Sequence, residues 1–303
     1  MTDHRSGFVT FVGRPNVGKS TLTNALVGEK VAITSDKPQT TRRAIRGIVN
    51  RPAGQLVIVD TPGIHKPRTL LGQRLNDLVE QVLGDVDVIC FLVPATEKVG
   101  PGDRRIAASL DGYPRAKKVA VVTKTDIASR EQITERLMEA DSLREDWAAV
   151  IPLSAIAPVS VDGHGQLDVL ADELLALMPQ GPALYEAGVV TDESLEDRIA
   201  EIIREAALDG VRDELPHSIA VTIDDISERE TGSMTDIYAS VVVERDSQKA
   251  IIIGHKGSRL ASVGARARAQ IEPLVGTKVF LKLHVRVAKE WQRDPKQLGR
   301  LGF

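Results

Sequence analysis

The chain has 303 residues, of which 42% are hydrophobic and 27% charged, a composition that excludes global disorder and predicts two domains. Its single cysteine, Cys90, excludes an intrachain disulfide framework, and its apolar neighbours predict a buried thiol. No apolar run approaches the ~20 residues of a membrane span. The net charge is −3, but residues 245–303 carry 13 Lys/Arg against 4 Asp/Glu. We therefore expect an anionic partner to bind that last segment.

Short β-branched runs alternate with longer amphipathic runs in the first part of the chain. The expected strands are GFVTFVG, AIRGIVN, QLVIVDT, VDVICFLV, KKVAVVT and AAVIPLSA, and the expected helices are KSTLTNALVG, TLLGQRLNDLVEQVLG, SREQITERLMEA and LDVLADELLALM. This alternation is typical of an α/β domain with a mostly parallel sheet, helices on both faces and one hairpin, AIRGIVN with QLVIVD. We assign residues 1–178 to this domain.

A stretch with Pro, Gly and acidic residues then interrupts the alternation, and we assign residues 179–190 to a linker. Residues 191–303 predict an α+β domain. Its expected elements are the helix SLEDRIAEIIREAALDGV, the strands HSIAVTIDDI and TDIYASVVVE, a helix ending in IIIGHKG, the helix SRLASVGARARAQIEPLV and the strand TKVFLKLHVRVAKEW.

The segment GRPNVGKS follows the first strand and opens the first helix, which is the context that a phosphate-binding P-loop requires. Backbone N–H groups of such a loop wrap phosphates, and the helix N-terminus adds positive potential. We expect Lys19 to reach the β- and γ-phosphates and Ser20 to hold Mg²⁺. The predicted nucleotide-binding residues here are Gly13, Arg14, Pro15, Asn16, Val17, Gly18, Lys19 and Ser20.

The segment DTPG follows the strand QLVIV, and an acid at that strand end can orient Mg²⁺. Asp60 is therefore a predicted metal residue, and Gly63 is predicted to bring its N–H to the γ-phosphate. In the polar loop SDKPQTTRR, either Thr40 or Thr41 could offer a hydroxyl to Mg²⁺, and we favour Thr41. The predicted nucleotide-binding set here is Asp60, Thr61, Pro62, Gly63 and Ile64, and the predicted catalytic set is Lys19, Thr41 and Gly63.

The segment TKTD follows the strand KKVAVV, and a later strand ends in Ser154-Ala155, which matches the two base-binding loops of small GTPases. Asp126 would accept hydrogen bonds from guanine N1–H and the 2-amino group, which adenine does not offer. Lys124 would lay its aliphatic stem along the base. Thr123 replaces the usual Asn, whose carboxamide braces neighbouring loops and contacts guanine N7, so we expect retained guanine selectivity and weaker binding.

Hydrolysis requires an oriented water, and Ile64 occupies the position after DTPG where many GTPases carry a Gln. Ile cannot orient water. Backbone groups with a second cation, or a partner protein, would have to do so, and Asn16 is a candidate ligand for such a cation, for which we expect K⁺. Without that cation, Asn16 would have only a local backbone role.

The segment IIIGHKG contains a G-x-x-G loop between two helices, within helix-strand-strand-helix-loop-helix-strand order. That order matches an α+β type II KH domain, whose loop clamps a single-stranded RNA backbone. Glycines allow close approach, and the following helix N-terminus faces the phosphates. The predicted RNA-binding residues are Ile252, Ile253, Gly254, His255, Lys256, Gly257, Arg259, Arg266 and Lys282.

With these motifs in place, the sequence resembles the bacterial Era GTPase family in GRPNVGKS, KPQTTRR, DTPGIHKP, TKTD, the SA loop and the trailing KH domain with GHKG. The resemblance covers nearly the whole chain and implies GTP hydrolysis. We expect the protein to be a monomer that uses Mg²⁺. It implies binding of the 3′ end of small-subunit ribosomal RNA, a role in assembly of the small ribosomal subunit, and no DNA partner. It also implies a cytoplasmic protein with some peripheral association at the inner face of the membrane.

Two other functions stay open at this point. One is a GTPase that acts with a partner enzyme in RNA modification, although we find no cofactor or one-carbon site in the sequence. The other is a membrane-surface regulator whose basic C-terminal segment binds anionic lipid, which competition between liposomes and RNA at raised salt would separate.

Overall fold

The computed structural model describes residues 4–35, 37, 40–63, 67–157, 165–211, 215–229 and 232–303, with the backbone alone at 216–217. The chain divides into two compact units: residues 1–32, 41–66 and 75–192 form the first, and residues 33–40, 67–74 and 193–303 form the second. No helix among the described residues is long and apolar enough to cross a lipid bilayer.

The first unit is built on a six-stranded sheet in the order β2-β3-β1-β4-β5-β6. Strand β2 is antiparallel to β3, which confirms the predicted hairpin, and the other pairings are parallel. The strands are β1 (Arg5–Val12), β2 (Ile45–Arg51), β3 (Gly54–Asp60), β4 (Val88–Pro94), β5 (Lys117–Thr123) and β6 (Trp147–Pro152). The helices are α1 (Lys19–Val27), α2 (Leu70–Asp85), α3 (Pro101–Ser109), α4 (Arg130–Asp141) and α5 (Gln166–Leu177).

Helices cover both faces of this sheet, as predicted. Along β4, Val88, Cys90 and Leu92 pack in a core with α1 and α5. The intervening residues Ile89, Phe91 and Val93 pack in a second core with α2, α3 and α4. Because both faces are buried, the strands are continuously apolar rather than alternating. The Cys90 thiol is buried as expected, and burial raises its pKa.

The parallel strands place their carboxyl ends at one edge of the sheet. The P-loop leaves β1, DTPG leaves β3, TKTD leaves β5 and Ser154-Ala155 follows β6, so one edge receives all four motifs. Ligands of open α/β sheets bind at this edge.

Residues 179–190, predicted to be a linker, lie along the first unit. Ser6 N donates to Pro179 O at 3.2 Å and Gly181 N donates to His4 O at 3.1 Å. At the far end, Ile48 N donates to Val190 O at 2.9 Å. These backbone bonds tie the segment to β1 and β2, so the boundary between the units falls after Asp192.

The second unit has a three-stranded sheet in the order β7-β8-β9, with β7 antiparallel and β9 parallel to the central β8. Helices α6, α8 and α9 pack on it in one apolar core, which also includes Ile33 and Leu215. This confirms the predicted α+β order of elements. Their bounds are α6 (Leu195–Leu208), α7 (Leu215–Ser218), β7 (Ala220–Glu228), β8 (Met234–Val243), α8 (Asp246–Ile253), α9 (Ser258–Val275), β9 (Lys278–Val287) and α10 (Pro295–Arg300).

Candidate nucleotide and RNA sites

The P-loop adopts a backbone that few side chains tolerate. Asn16 has φ 64° and Gly18 has φ 103°, both in the left-handed region, immediately before α1. A Cβ on Gly13 would lie 2.7 Å from the carbonyl oxygen of Leu92, so glycine is required there by close approach to β4. The loop therefore turns its N–H groups and the N-terminus of α1 towards one place, which suits an anion.

The side chain of Lys19 is folded back over this loop. Its Nζ donates to Gly13 O at 3.4 Å and to Arg14 O at 3.3 Å. Burial lowers the pKa of Lys19, while the nearby charge of Asp60 acts in the opposite direction. Water solvates the buried ammonium group poorly, so an anion that takes the place of its carbonyl partners would stabilise the charged form of Lys19.

The three predicted metal residues lie together. Ser20 Oγ donates to Asp60 Oδ2 at 2.7 Å, and Thr41 Oγ1 donates to the same oxygen at 3.2 Å. The two hydroxyl oxygens are 3.1 Å apart. Asp60 is fully buried, and burial raises its pKa while the Ser20 hydroxyl lowers it. Its other oxygen, Oδ1, is buried without a hydrogen-bond partner. A buried acceptor without a donor, beside two hydroxyls, fits a hard divalent cation such as Mg²⁺.

Thr40 and Thr41, the two alternatives, have different partners. The Thr40 hydroxyl donates to the carbonyl oxygen of Lys37 at 2.7 Å, whereas the Thr41 hydroxyl lies at the carboxylate of Asp60. The structure thus brings the favoured Thr41 to the predicted metal site and leaves Thr40 elsewhere.

The DTPG segment continues from β3 past the same cluster. Thr61 and Pro62 are buried, and a Cβ on Gly63 would lie 3.5 Å from Lys19 Nζ and 3.9 Å from Pro15 Cγ. Gly63 therefore lies close to the P-loop lysine, as its predicted role at the γ-phosphate requires. Ile64, the expected non-catalytic replacement for Gln, lies outside the described residues.

Thr123 braces the P-loop, which corrects the expectation that replacing Asn removes this contact. Its hydroxyl is buried and donates to the carbonyl oxygen of Val17 at 2.8 Å, with Val93 O at 3.4 Å as a weaker alternative. A hydroxyl has one proton, so it makes one such bond well. The expected loss of affinity now depends only on the missing contact to guanine N7.

The two base-recognition loops are joined at Asp126. Ser154 Oγ donates to Asp126 Oδ1 at 2.7 Å, and Lys124 has a left-handed φ of 59°. Gln166 at the start of α5 accepts from Ser154 N at 2.7 Å. Asp126 is exposed, so its second oxygen can accept from a base. Ala155 lies next in the loop and is partly buried.

The G-x-x-G loop of the second unit is also held in special geometry. Gly254 has φ 72° and ψ −179°, a combination open in practice only to glycine, and Lys256 and Gly257 have left-handed φ values of 49° and 81°. A Cβ on Gly254 would lie 2.6 Å from the Cβ of Arg259. His255 and Lys256 are exposed at the tip, directly before α9.

The other predicted RNA-binding residues differ in how exposed they are. Ile252, one of the predicted RNA-binding residues, is fully buried in the core of the second unit, because α8 packs that face against the sheet. Its neighbour Ile251 is 51% exposed, while Ile253 is half-buried. Lys282 is exposed on β9, with its Nζ 5.8 Å from the ring centroid of Tyr238.

Two predicted RNA-binding arginines are engaged within the protein. Arg259 Nη2 donates to Asp209 O at 2.7 Å, and Arg266 Nη1 donates to Asp209 Oδ2 at 2.5 Å. Arg266 Nη2 also donates to Ala206 O at 2.8 Å. Both guanidinium groups thus satisfy carbonyl groups at the C-terminal end of α6, which such cations stabilise.

Sequence reasoning missed α3 and its buried acid, Asp103. Arg14 of the P-loop donates from Nε to Asp103 Oδ1 at 2.8 Å. The available signal was Gly100-Pro101 ahead of DRRIAAS, since proline is favoured in the first helical turn. Gln166 and Ile251 were also missed, because neither belongs to a recognised motif.

Comparison with known families agrees with this architecture. Residues 8–125 match a family model described as a 50S ribosome-binding GTPase, and residues 214–292 match the KH domain. Fold, site and these matches together define a P-loop GTPase that carries a C-terminal KH domain.

Individual relatives give a narrower assignment. The chain is 65% identical to GTPase Era of Leifsonia xyli subsp. xyli, with all of both chains covered, and 58% identical to GTPase Era of Streptomyces coelicolor, covering 100% of this chain and 96% of that one. A crystal structure of Era in complex with MgGDPNP and nucleotides 1506–1542 of 16S ribosomal RNA superposes with a TM-score of 0.91 at 36% identity, covering 99% of each chain. A crystal structure of a point variant of Aquifex aeolicus Era bound to GDP·AlF4⁻ also gives 0.91 at 36%, covering 98% of this chain and 99% of that one. The chain belongs to the GTPase Era family.

Proposed function

We propose that this GTPase is a nucleotide-controlled switch that binds the 3′ end of small-subunit ribosomal RNA and assists assembly of the small ribosomal subunit. One observation carries the proposal: a single chain holds the Ser20–Thr41–Asp60 cluster beside a P-loop and, in its other unit, a G-x-x-G loop with an exposed basic tip. The first arrangement suits GTP with Mg²⁺, and the second suits a single-stranded RNA backbone.

In the nucleotide site, the P-loop amides and Lys19 would hold the phosphates, and Asp126 would select guanine. Ser20, Thr41 and Asp60 would hold Mg²⁺, which when bound neutralises charge that develops on the phosphate oxygens. Lys19, whose ammonium group donates to the carbonyl oxygens of Gly13 and Arg14, would stabilise the same charge. Positioning and electrostatic stabilisation of this kind suffice for slow turnover.

Water orientation is assigned to backbone groups and a second cation. Asn16 at the exposed P-loop tip is the proposed ligand of that cation, which we infer to be K⁺. A monovalent cation near the phosphates would add positive charge without a Gln or Arg side chain. Comparing turnover in K⁺ and Na⁺ buffers, for the natural chain and Asn16→Ala, tests this assignment.

The RNA site is proposed on the second unit. The relative crystallised with nucleotides 1506–1542 of 16S ribosomal RNA has the same architecture over 99% of both chains. In this chain, His255 and Lys256 offer an exposed polar tip, Ile251 offers an apolar surface beside it, and Lys282 adds charge on β9. KH loops hold about four backbone nucleotides.

Coupling between nucleotide and RNA is proposed to run through Ile33, Thr34 and Thr40. Ile33 belongs to the core of the second unit, and Thr34 N donates to Glu205 Oε1 at 2.9 Å. Buried Arg204 donates to the carbonyl oxygen of Thr40. The next residue, Thr41, contributes its hydroxyl to the metal cluster. A movement of Thr41 with the state of the nucleotide is therefore transmitted along one peptide bond to a residue held by α6.

The catalytic part of the proposal is tested by Thr41→Ala with Thr40→Ala as its matched control. We expect Thr41→Ala to lower the single-turnover rate of GTP hydrolysis about 10²-fold, because it removes a positioned ligand. Thr40→Ala should stay within about 3-fold of the natural chain. Equal effects of the two substitutions would contradict the assignment of Thr41.

The RNA part is tested by crosslinking in cells and sequencing the bound RNA. Enrichment of the 3′ end of small-subunit ribosomal RNA is expected, and enrichment of other RNAs only would refute it. For the switch, Glu205→Ala should bring the RNA affinities measured with a non-hydrolysable GTP analogue and with GDP closer together. Glu196→Ala removes the same charge from an exposed position on the same helix and should leave the two affinities distinct. Identical affinities in the natural chain would remove the switch claim.

We further infer a cytoplasmic location, because GTP and ribosomal RNA are found there, with peripheral contact at the inner face of the membrane. The chain is proposed to act as a monomer without a DNA partner. Fractionation of cells, followed by a high-salt wash of the membranes, tests the location: protein retained after the wash would contradict a peripheral contact.

A further inference from the structure

Arg14, the second residue of the P-loop, is engaged with two acids of the β4–α3 connection. Its Nε donates to Asp103 Oδ1 at 2.8 Å, and its Nη2 lies 3.0 Å from Glu97 Oε2. The two acids differ in environment, since the Asp103 side chain is 0% exposed and that of Glu97 is 53% exposed. An ion pair with a buried carboxylate is costly to break, whereas an exposed pair contributes little.

The first turn of α3 is shaped to receive this arginine. A Cβ on Gly102 would lie 3.2 Å from Arg14 Cδ, so glycine leaves room for the aliphatic stem. The second oxygen of Asp103 accepts from Gly100 N at 2.9 Å, which caps the helix. Both oxygens of the buried carboxylate are therefore used, and the hydrogen bond to Asp103 raises the pKa of Arg14. The guanidinium group has its partner within the protein.

The pair fixes one end of the exposed P-loop tip. Pro15 and Asn16 are exposed, and Asn16 has a left-handed φ of 64°. After the tip, the Val17 carbonyl is held by the Thr123 hydroxyl at 2.8 Å. Before the tip, the side-chain anchor is Arg14, whose own carbonyl accepts from Lys19 Nζ at 3.3 Å. A shift of the backbone at residue 14 would move both the tip and the phosphate-binding lysine.

This end of the loop lies on the side where the terminal phosphate is expected. A Cβ on Gly63, the residue proposed to approach the γ-phosphate, would lie 3.9 Å from Pro15 Cγ and 3.5 Å from Lys19 Nζ. GDP lacks the γ-phosphate and would depend less on this part of the loop. An anchor at Arg14 therefore affects GTP more than GDP.

We propose that the Arg14–Asp103 pair is a positioning element for GTP: it holds the N-terminal half of the P-loop, with Lys19, in the conformation that receives the γ-phosphate. Arg14 does not contact the nucleotide through its side chain, and Asp103 acts only through Arg14. The assignment goes beyond the phosphate-binding role that the P-loop motif alone predicts, because it gives a buried acid on a different helix a part in GTP recognition.

The test compares Arg14→Gln, Asp103→Asn and the double variant in the full chain. Dissociation constants for GDP and for a non-hydrolysable GTP analogue are measured with fluorescent nucleotides in Mg²⁺, together with the single-turnover rate of hydrolysis. We expect each single variant to raise the dissociation constant of the GTP analogue about 10-fold and that of GDP about 3-fold or less. The double variant should have about the same dissociation constants as the single variant that binds less tightly. The reason is that either single substitution already removes the Arg14–Asp103 interaction.

Glu97→Gln is the matched control, because it removes an exposed partner of the same guanidinium group. It should change both dissociation constants by less than about 2-fold. Arg14→Lys, which keeps the charge, should recover part of the ratio between the two affinities. The ratio of GTP-analogue affinity to GDP affinity separates positioning from a general loss of structure, because a loss of structure would weaken the binding of both nucleotides to the same extent.

Three results would overturn the proposal. One is an unchanged ratio of GTP-analogue to GDP affinity in Arg14→Gln. Another is independent, additive effects of Arg14→Gln and Asp103→Asn, which would indicate that Arg14 binds nucleotide directly. The third is an effect of Glu97→Gln as large as that of Asp103→Asn. If Asp103→Asn fails to fold because α3 loses its cap, the ratio in Arg14→Gln alone still decides.

Discussion

The P-loop and the G-x-x-G loop begin from the same backbone device. Asn16 and Gly18 precede α1 with left-handed φ values, and Lys256 and Gly257 precede α9 in the same way. In each case the turn exposes N–H groups at a helix N-terminus, which attracts phosphate oxygens. The shared geometry gives two unrelated domains the same means of attracting a phosphate group.

The two loops differ in what holds them. The P-loop is fixed by side chains from neighbouring elements, namely the Arg14–Asp103 pair and the Thr123 hydroxyl on Val17 O. In the G-x-x-G loop, His255 and Lys256 are exposed, while nearby Arg259 secures α6 to α9. A site braced on several sides suits one small ligand with fixed geometry, and an open loop suits a polymer whose bases vary.

The largest expected effect in this comparison is that of Lys19→Ala. It should lower the rate of GTP hydrolysis about 10³-fold, because Lys19 is the charged group at the phosphate end of the site. RNA affinity of the protein without nucleotide should change by less than about 2-fold, since the exposed loop of the second unit does not depend on Lys19. Single-turnover hydrolysis and filter binding measure the two quantities, and a matching loss of RNA affinity would contradict the separation.

Gly254→Ala should have the opposite effect, because it disrupts the G-x-x-G loop and leaves the nucleotide site intact. The added Cβ would lie 2.6 Å from the Cβ of Arg259, and the backbone region is open in practice only to glycine. We expect RNA affinity to fall at least about 10-fold and the free energy of unfolding of the second unit to fall by about 2 kcal/mol.

Gly257→Ala is the control for that substitution. Gly257 has φ 81°, but an added Cβ there would have no atom within 4 Å. The substitution should lower the free energy of unfolding of the second unit by about 1 kcal/mol, because alanine is strained in the left-handed region. Equal losses of RNA affinity in the two variants would show that the contact with Arg259 does not matter. Affinity for GDP should be unchanged in both.

A smaller effect is expected from Thr123→Val, which keeps the shape but removes the proton donated to Val17 O. GDP affinity should fall about 5-fold to 10-fold, the equivalent of one buried hydrogen bond. Preference for GDP over ADP should persist, because it depends on Asp126. In Asp126→Asn that preference should be lost. Binding of GDP and ADP by calorimetry measures both, and an unaltered GDP affinity in Thr123→Val would refute the brace.

The smallest effect distinguishes two basic residues of the second unit. Lys282→Gln removes an exposed charge and should weaken RNA binding about 2-fold to 5-fold. It should also lower by about 1 the steepness with which log affinity falls against log salt concentration, here called the salt slope. Arg266→Gln removes the bond to Asp209, so it should lower the melting temperature with little change in the salt slope. If Arg266→Gln changes the salt slope as Lys282→Gln does, Arg266 contacts RNA despite its partners on α6.

Much of the fold was predictable from the sequence because its signals are periodic and local. The span of α9 and the hairpin of β2 with β3 follow from apolar spacing and turn residues. The short helix α3 was missed, since nine residues with only a few apolar positions give a weak period. Residues 179–190 are predicted to be a linker because Pro, Gly and acidic residues interrupt the alternation of strands and helices, yet backbone hydrogen bonds tie the segment to the first unit.

The sequence by itself determined which residues are candidates for chemistry: Lys19, Ser20 and Asp60 at strand ends and helix starts, and GHKG between two helices. These assignments need only local order, because the motif specifies the turn that it forms. Tertiary structure alone decided which neighbours hold them, as for Thr41 rather than Thr40 at Asp60, Thr123 on the P-loop, and Asp103 on Arg14. These contacts join residues that are 19, 106 and 89 positions apart. The physical reason is that such pairs are set by how strands order in a sheet, which no local pattern encodes.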